Sequence, residues 1–134
     1  MNSWAILAQS ATVVVAADQA AKVLVHRVGS LRVIEGQLWM RHTSYRYANM
    51  WWLWLLPAAA LIVITVWIPA SSMFVGLMIG GSLSNAVEGS LRGSVTDYIR
   101  APFWPAFNIA DIALTVGAIG IAVELLRTVG ELST

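Results

Sequence analysis

Residues 95–111 read VTDYIRAPFWPAFNIAD, with one aspartate, Asp97, just before an apolar segment and a second, Asp111, inside it. A carboxylate in hydrocarbon is costly unless it is paired or hydrated, so an ionisable residue within a membrane segment is a functional hypothesis by default. Whether the flanking chain crosses a bilayer therefore decides both the fold and the meaning of these two carboxylates.

The surrounding sequence points to a membrane. The chain has 134 residues, 58% of them hydrophobic and only 11% charged, with a mean hydropathy of +0.72. So little polar surface cannot cover a soluble globule of this size. A helix needs about 20 apolar residues, at about 1.5 Å each, to cross roughly 30 Å of hydrocarbon. Four stretches qualify, approximately 4–25, 51–68, 72–89 and 106–127. The expected fold class is thus an all-α integral membrane protein of four transmembrane helices, forming a single domain over residues 1–134. The first stretch differs from a cleaved signal peptide in lacking a basic leader and in holding Asp18 and Lys22. Tryptophans favour the membrane interface, and Trp4, Trp51, Trp52, Trp67 and Trp104 fall at the ends of these stretches. Pro69 breaks the chain in a tight turn between the second and third. The link between the first two helices is longer, and its stretch RVIEGQLWMRHTSYRY, residues 32–47, is rich enough in aromatic and β-branched residues to fold into a short strand or a surface-lying element.

Other classes are excluded or disfavoured. The net charge of +1 comes without a dense basic run, which argues against nucleic acid as a partner. With no cysteine there is neither a disulfide nor a thiolate metal site. His26 and His42 lack metal-ligand spacing, and no metal or other cofactor is expected.

Counting along antiparallel helices places the intramembrane polar residues at one depth. Asp18 on the first helix, Asn85 on the third and Asp111 on the fourth each fall roughly 20 Å from the same face. Asn108, Asp111 and Thr115 follow helical spacing, which predicts one stripe facing the bundle. Asp97 precedes Asp111 by a link that can fold back over the helix ends. Two close carboxyls cannot both ionise, so one keeps its proton while the other takes a proton from water and drives it at a peptide carbonyl. That is aspartic protease chemistry, and it needs no metal. Several features have plainer readings. Asp18 and Lys22, at i and i+4, form a structural ion pair with Lys22 reaching to the interface, and Glu88 and Arg92 form a second structural pair. Ser72, Gly76, Gly80 and Ser84 let helices approach closely. Asp111 taken alone is equally well read as a hydrogen-bonded structural aspartate.

The same positions carry a resemblance. DQAAK at 18–22, GGSLSNAVEG at 80–89, GSVTDYI at 93–99 and WPAFNIADIAL at 104–114 resemble, in order and spacing, the motifs of the lipoprotein signal peptidase family, signal peptidase II. The family's members are four-helix intramembrane aspartyl proteases that remove signal peptides from prolipoproteins before a diacylglyceryl-modified cysteine. The resemblance implies that Asp97 and Asp111 are the catalytic pair. It implies that Asp18, Lys22, Asn85 and Asn108, with Arg41 and Arg92, hold the pair and the substrate. It further implies a bacterial inner membrane location, termini in the cytoplasm and an active site near the outer leaflet, with a membrane-embedded prolipoprotein and the lipid bilayer as partners. The chain departs from the family pattern at two places. Arg41 is followed by HTSYRY, so His42 and Ser44 replace the family's asparagine and glycine; Glu88 and Gly89 stand for an Asp-Arg pair, with Arg92 one turn later. These departures keep two alternatives open: a paralogue with the same chemistry on another membrane substrate, and a non-catalytic signal-peptide or lipid binder. The basic residues also run against the implied orientation, since Lys22, Arg27, Arg32, Arg41, Arg46, Arg92 and Arg100 lie on the side of the aspartate pair and only Arg127 on the other.

Overall fold

A computed structural model describes residues 2–28, 34–37 and 47–133, with side chains over 2–28 and 54–133. In chain order the elements are α1 (Ser3–Val28), β1 (Ile34–Gln37), α2 (Tyr47–Trp67), α3 (Ser72–Arg92), β2 (Ser94–Asp97) and α4 (Ile109–Leu132). A single 3₁₀ turn at Pro69–Ser71 joins α2 to α3, where the sequence expects a break. The helices over Pro69–Arg92 and Ile109–Leu132 are long and apolar enough to cross a membrane, and Trp54–Trp67 is a shorter apolar stretch. Leu56 and Val66 on α2 and Ile119 and Leu126 on α4 remain exposed on the outer faces, as lipid-facing side chains would be.

Helix α3 is the centre of the packing, and its small residues explain why. A Cβ on Gly80 would stand 2.6 Å from the Ala11 carbonyl oxygen, and one on Gly81 2.5 Å from that of Ala110. Helices α1 and α4 therefore approach α3 backbone to backbone on two sides, the close approach that small residues permit in membranes. From α4 the facing side is Ala110, Ala113, Gly117, Gly120 and Ile121, all buried. Trp54 Nε1 donates to Ser82 Oγ at 3.0 Å, adding a polar contact between α2 and α3.

The all-α expectation requires one amendment. Gly93 adopts the left-handed conformation (φ 72°) that closes α3, its N–H bonding the Gly89 carbonyl; a residue without Cβ enters this region at no steric cost. The chain then turns at once into β2, which pairs antiparallel with β1 in the register Ile34↔Asp97 to Gln37↔Ser94. The strand expected in the first link is thus present at Ile34–Gln37; residues 38–46, including Arg41, His42 and Ser44, lie outside the described residues.

The fourth helix begins at Ile109, three residues beyond the expected start at 106. Asn108, with extended backbone, caps it: its side chain accepts the Asp111 N–H at 2.9 Å while the Asp111 carboxylate accepts the Asn108 N–H at 3.1 Å. This reciprocal capping box satisfies two of the backbone donors that a helix start leaves open.

Candidate active site

The fold-back between β2 and α4 brings Asp97 towards Asp111. Ile99 and Phe107 exchange both backbone hydrogen bonds, at 2.9 and 3.0 Å, pinching the intervening loop closed. Asp97 thus ends one strand beside the residue that caps α4. Asn108 Nδ2 donates to Asp97 Oδ1 at 2.9 Å, and the Asn108 backbone N–H donates to Asp111 Oδ2. One residue holds both carboxyls. Asn85, from α3, donates from Nδ2 to the other Asp111 oxygen at 3.0 Å and accepts from Asn108 Nδ2 at 3.2 Å.

Burial pushes the Asp97 carboxyl above its ordinary range, and the negative charge of Asp111 raises it further; the Asn108 hydrogen bond and Lys22 pull against them. A carboxyl of this kind holds its proton to higher pH than an exposed aspartate does.

The expected layer of polar residues is present as one connected network. Asp18 lies in it fully buried, its Oδ1 accepting the Ala110 N–H at 3.1 Å and its Oδ2 accepting Ser84 Oγ at 2.7 Å. Lys22 requires a correction. It does not reach to the interface but is 2% exposed, bound by Asp18 and Glu88, each at 2.7 Å, and by Asn85 Oδ1 at 3.0 Å. Two carboxylates and an amide oxygen inside the bundle offer the ammonium better satisfaction than extension to the boundary does.

The Glu88–Arg92 pair is likewise not the main contact of either residue. Their charged groups stand 3.9 Å apart, with the Arg92 side chain 54% exposed. Arg92 Nη1 instead lies 3.0 Å from His26 Nε2, a nitrogen also 3.1 Å from Thr96 Oγ1, so Arg92 marks the outer edge of the network. Glu88 turns inward to Lys22 and Thr96. Thr115 departs from the predicted buried stripe as well. It is exposed, and its hydroxyl bonds back to the Asp111 carbonyl at 2.9 Å. Asp111 and Thr115, four residues apart in α4, do share a face, but it is the one that opens on the groove, whereas Asn108, as the cap, turns into the bundle.

Thr115 lines an apolar groove of ≈260 Å³ with Trp104, Phe107, Ile112 and Val116, and Asp111 stands at its wall. A mostly apolar groove with a carboxylate in its lining suits an extended apolar peptide brought to an acid–base group.

Sequence reasoning missed Thr96, and it missed the inward role of Glu88. It also missed the capping box, although Asn108 followed three residues later by an acidic residue ahead of an apolar run was a usable signal.

A helical membrane protein with a buried polar network beside a groove is the class that fold and site define. Residues 10–127, most of the chain, match the family model of signal peptidase (SPase) II. The chain belongs to the signal peptidase II family. It is similar to the lipoprotein signal peptidase of Xylella fastidiosa (strain 9a5c), 36% identical over 88 residues, 55% of this chain and 53% of that one. It is also similar to the lipoprotein signal peptidase of Cupriavidus pinatubonensis (strain JMP 134 / LMG 1197), 37% identical over 95 residues, 61% of this chain and 54% of that one. The chain thus spans about half the length of the curated relatives it matches. A solved bacterial membrane enzyme shares the fold, with a TM-score of 0.75 at 21% identity over 90% of this chain and 92% of the other.

Proposed function

We propose that the protein is an intramembrane aspartyl endopeptidase that removes signal peptides from prolipoproteins before a diacylglyceryl cysteine, with Asp97 and Asp111 as its catalytic pair. The observation that carries this reading is the double grip of Asn108, whose side chain binds Asp97 while its backbone binds Asp111. In the proposed reaction Asp111, at the groove wall, takes a proton from water as the water oxygen bonds to the scissile carbonyl carbon. Asp97 gives its proton to the carbonyl oxygen. When the tetrahedral intermediate collapses, the C–N bond breaks, the leaving nitrogen takes the proton held by Asp111, and the hydroxyl proton returns to Asp97. Asn108 orients both groups and Asn85 orients Asp111 throughout, and Asp18 and Lys22 support them from α1.

In this reading all four helices cross a bacterial inner membrane as a single domain, with the termini in the cytoplasm and the pair near the outer leaflet. The burial of Lys22 removes one of the seven basic residues that run against that orientation, because an internally paired ammonium is not a free loop charge under the positive-inside rule. Arg41, beyond the described residues, and Arg92 at the network's edge are proposed to serve the substrate.

The test is cleavage of a diacylglyceryl prolipoprotein and its unlipidated counterpart by detergent-purified protein and by Asp97→Asn and Asp111→Asn. Cleavage of the lipidated form by wild type alone is the expected result. Retained cleavage in either variant would refute the pair.

A further inference from the structure

Glu88 performs no step in the proposed reaction, yet it is 4% exposed inside the bundle. Both of its oxygens are in use. Oε1 accepts the Thr96 hydroxyl at 2.6 Å, and Oε2 accepts the Thr96 backbone N–H at 3.2 Å and the Lys22 ammonium at 2.7 Å. Thr96 immediately precedes Asp97, and its carbonyl accepts from Asn108 Nδ2 at 3.4 Å. On the other side, Lys22 donates to Asn85 Oδ1, which turns the Asn85 amide so that its Nδ2 meets Asp111 Oδ1. A single carboxylate thereby reaches both aspartates, each through one or two intermediate groups.

An ion pair for stability alone would not need this arrangement, since buried pairs are often no more stabilising than well-packed apolar residues. We propose that Glu88 is a positioning residue for the whole pair: it fixes Asp97 through Thr96, and Asp111 through Lys22 and Asn85. This rests on the reading of Asp97 and Asp111 as the reacting groups.

The geometry has an electrostatic counterpart. Asp97 faces Asp111 and Asn108 from α4, Lys22 from α1 and Glu88 from α3; the Glu88 charge raises its carboxyl and the Lys22 charge lowers it. Arg92 and His26 approach from the Glu88 side. Neutralising Glu88 and neutralising Lys22 therefore push Asp97 in opposite directions, whereas simple loosening of the fold would not.

The chain has only three aspartates, Asp18, Asp97 and Asp111, so carboxyl-labelled aspartate gives three NMR signals, and Asp97→Asn identifies one. Glu88→Gln is expected to lower the Asp97 titration midpoint, and Lys22→Met to raise it, each on the order of half a pH unit. Thr96→Val, which keeps the side chain's shape, is expected to cut kcat about tenfold at unchanged KM, and Thr96→Ser to restore it. An Asp97 midpoint that stays put, or moves the same way, in both charge variants would overturn the proposal. If neither charge variant folds, wild-type kcat in Thr96→Val would overturn it instead. The titration needs no cleavage, so the positioning role and the peptidase reading can fail separately.

Discussion

Asp18 and Ala110, 92 residues apart, meet where the Ala110 N–H donates to Asp18 Oδ1 at 3.1 Å. Ala110 lies in the first turn of α4, where backbone N–H groups have no partner within the helix. A carboxylate from α1 thus supplies one of the missing acceptors and fixes the depth of α4, one residue from Asp111. Its other oxygen binds Lys22 and Ser84. Asp18→Ala is expected to destabilise the protein by about 3–5 kcal/mol, since it removes one partner of a buried ion pair and strands an N–H. Thermal unfolding in detergent reads this; a melting temperature equal to wild type would show that Asp18 is dispensable for the docking of α4.

Asn108 combines two functions that substitution can separate. Its side-chain oxygen caps α4 and its Nδ2 binds Asp97. Asn108→Ser keeps a good cap but lacks the amide donor that reaches Asp97, so it should largely retain the fold while reducing kcat about 100-fold, the scale of a misplaced reacting group. Asn108→Ala should in addition lose about 1 kcal/mol of stability. Equal activity in Asn108→Ser and wild type would remove the Asn108–Asp97 contact from the mechanism.

The polar layer was legible because helical rise is regular: counting inward from each end of an apolar stretch brings Asp18, Asn85 and Asp111 to a common depth, and the structure joins them through Lys22, Asn108 and the Ala110 N–H. The partners of Lys22 were not legible. Spacing within α1 reveals Asp18, four residues away, but Glu88 comes from another helix and is brought near by the glycine-mediated approach of α3. The pairing of β1 with β2 was half hidden for a similar reason. Strands of four residues carry too little alternation to identify, and SVTD at 94–97 reads as a loop until Ile34–Gln37 lies beside it. Asn108 faces the bundle as expected, but as a cap and not as a helical residue, because the helix was started at 106; Thr115, one turn beyond Asp111, falls on the side of α4 that lines the groove.

The raised carboxyl of Asp97 has consequences for pH. The folded state favours the protonated form, so this contribution to stability is complete below the unfolded carboxyl value, about 3.9, and is lost as pH rises through the higher folded value. At neutral pH, Asp97→Asn, a neutral mimic of the protonated group, should therefore melt higher than wild type. Below the window the two should converge. In wild type the alkaline limb of a bell-shaped kcat profile should follow the ionisation of Asp97. A destabilised Asp97→Asn at neutral pH would contradict the sign of this effect.

The packing of α1 on α3 makes the last prediction, and it couples stability to the site. Any side chain at Gly80 meets backbone, 2.6 Å from the Ala11 carbonyl oxygen and 2.9 Å from Ala11 Cα. Backbone cannot turn aside as a flexible side chain can, so the helices must separate. One turn along α3, Ser84 holds Asp18, and the separation would be felt there. Gly80→Ala is expected to destabilise by about 1–3 kcal/mol, the usual cost of overpacking, and to lower kcat by loosening Asp18 and Lys22. Gly130 provides the internal contrast: a Cβ there meets nothing within 4 Å, so Gly130→Ala should stabilise α4 by about 0.5–1 kcal/mol through helix propensity. The two variants add the same methyl to a glycine of a helix. If their melting temperatures moved together, close backbone approach at Gly80 would not be what sets the spacing of α1 and α3.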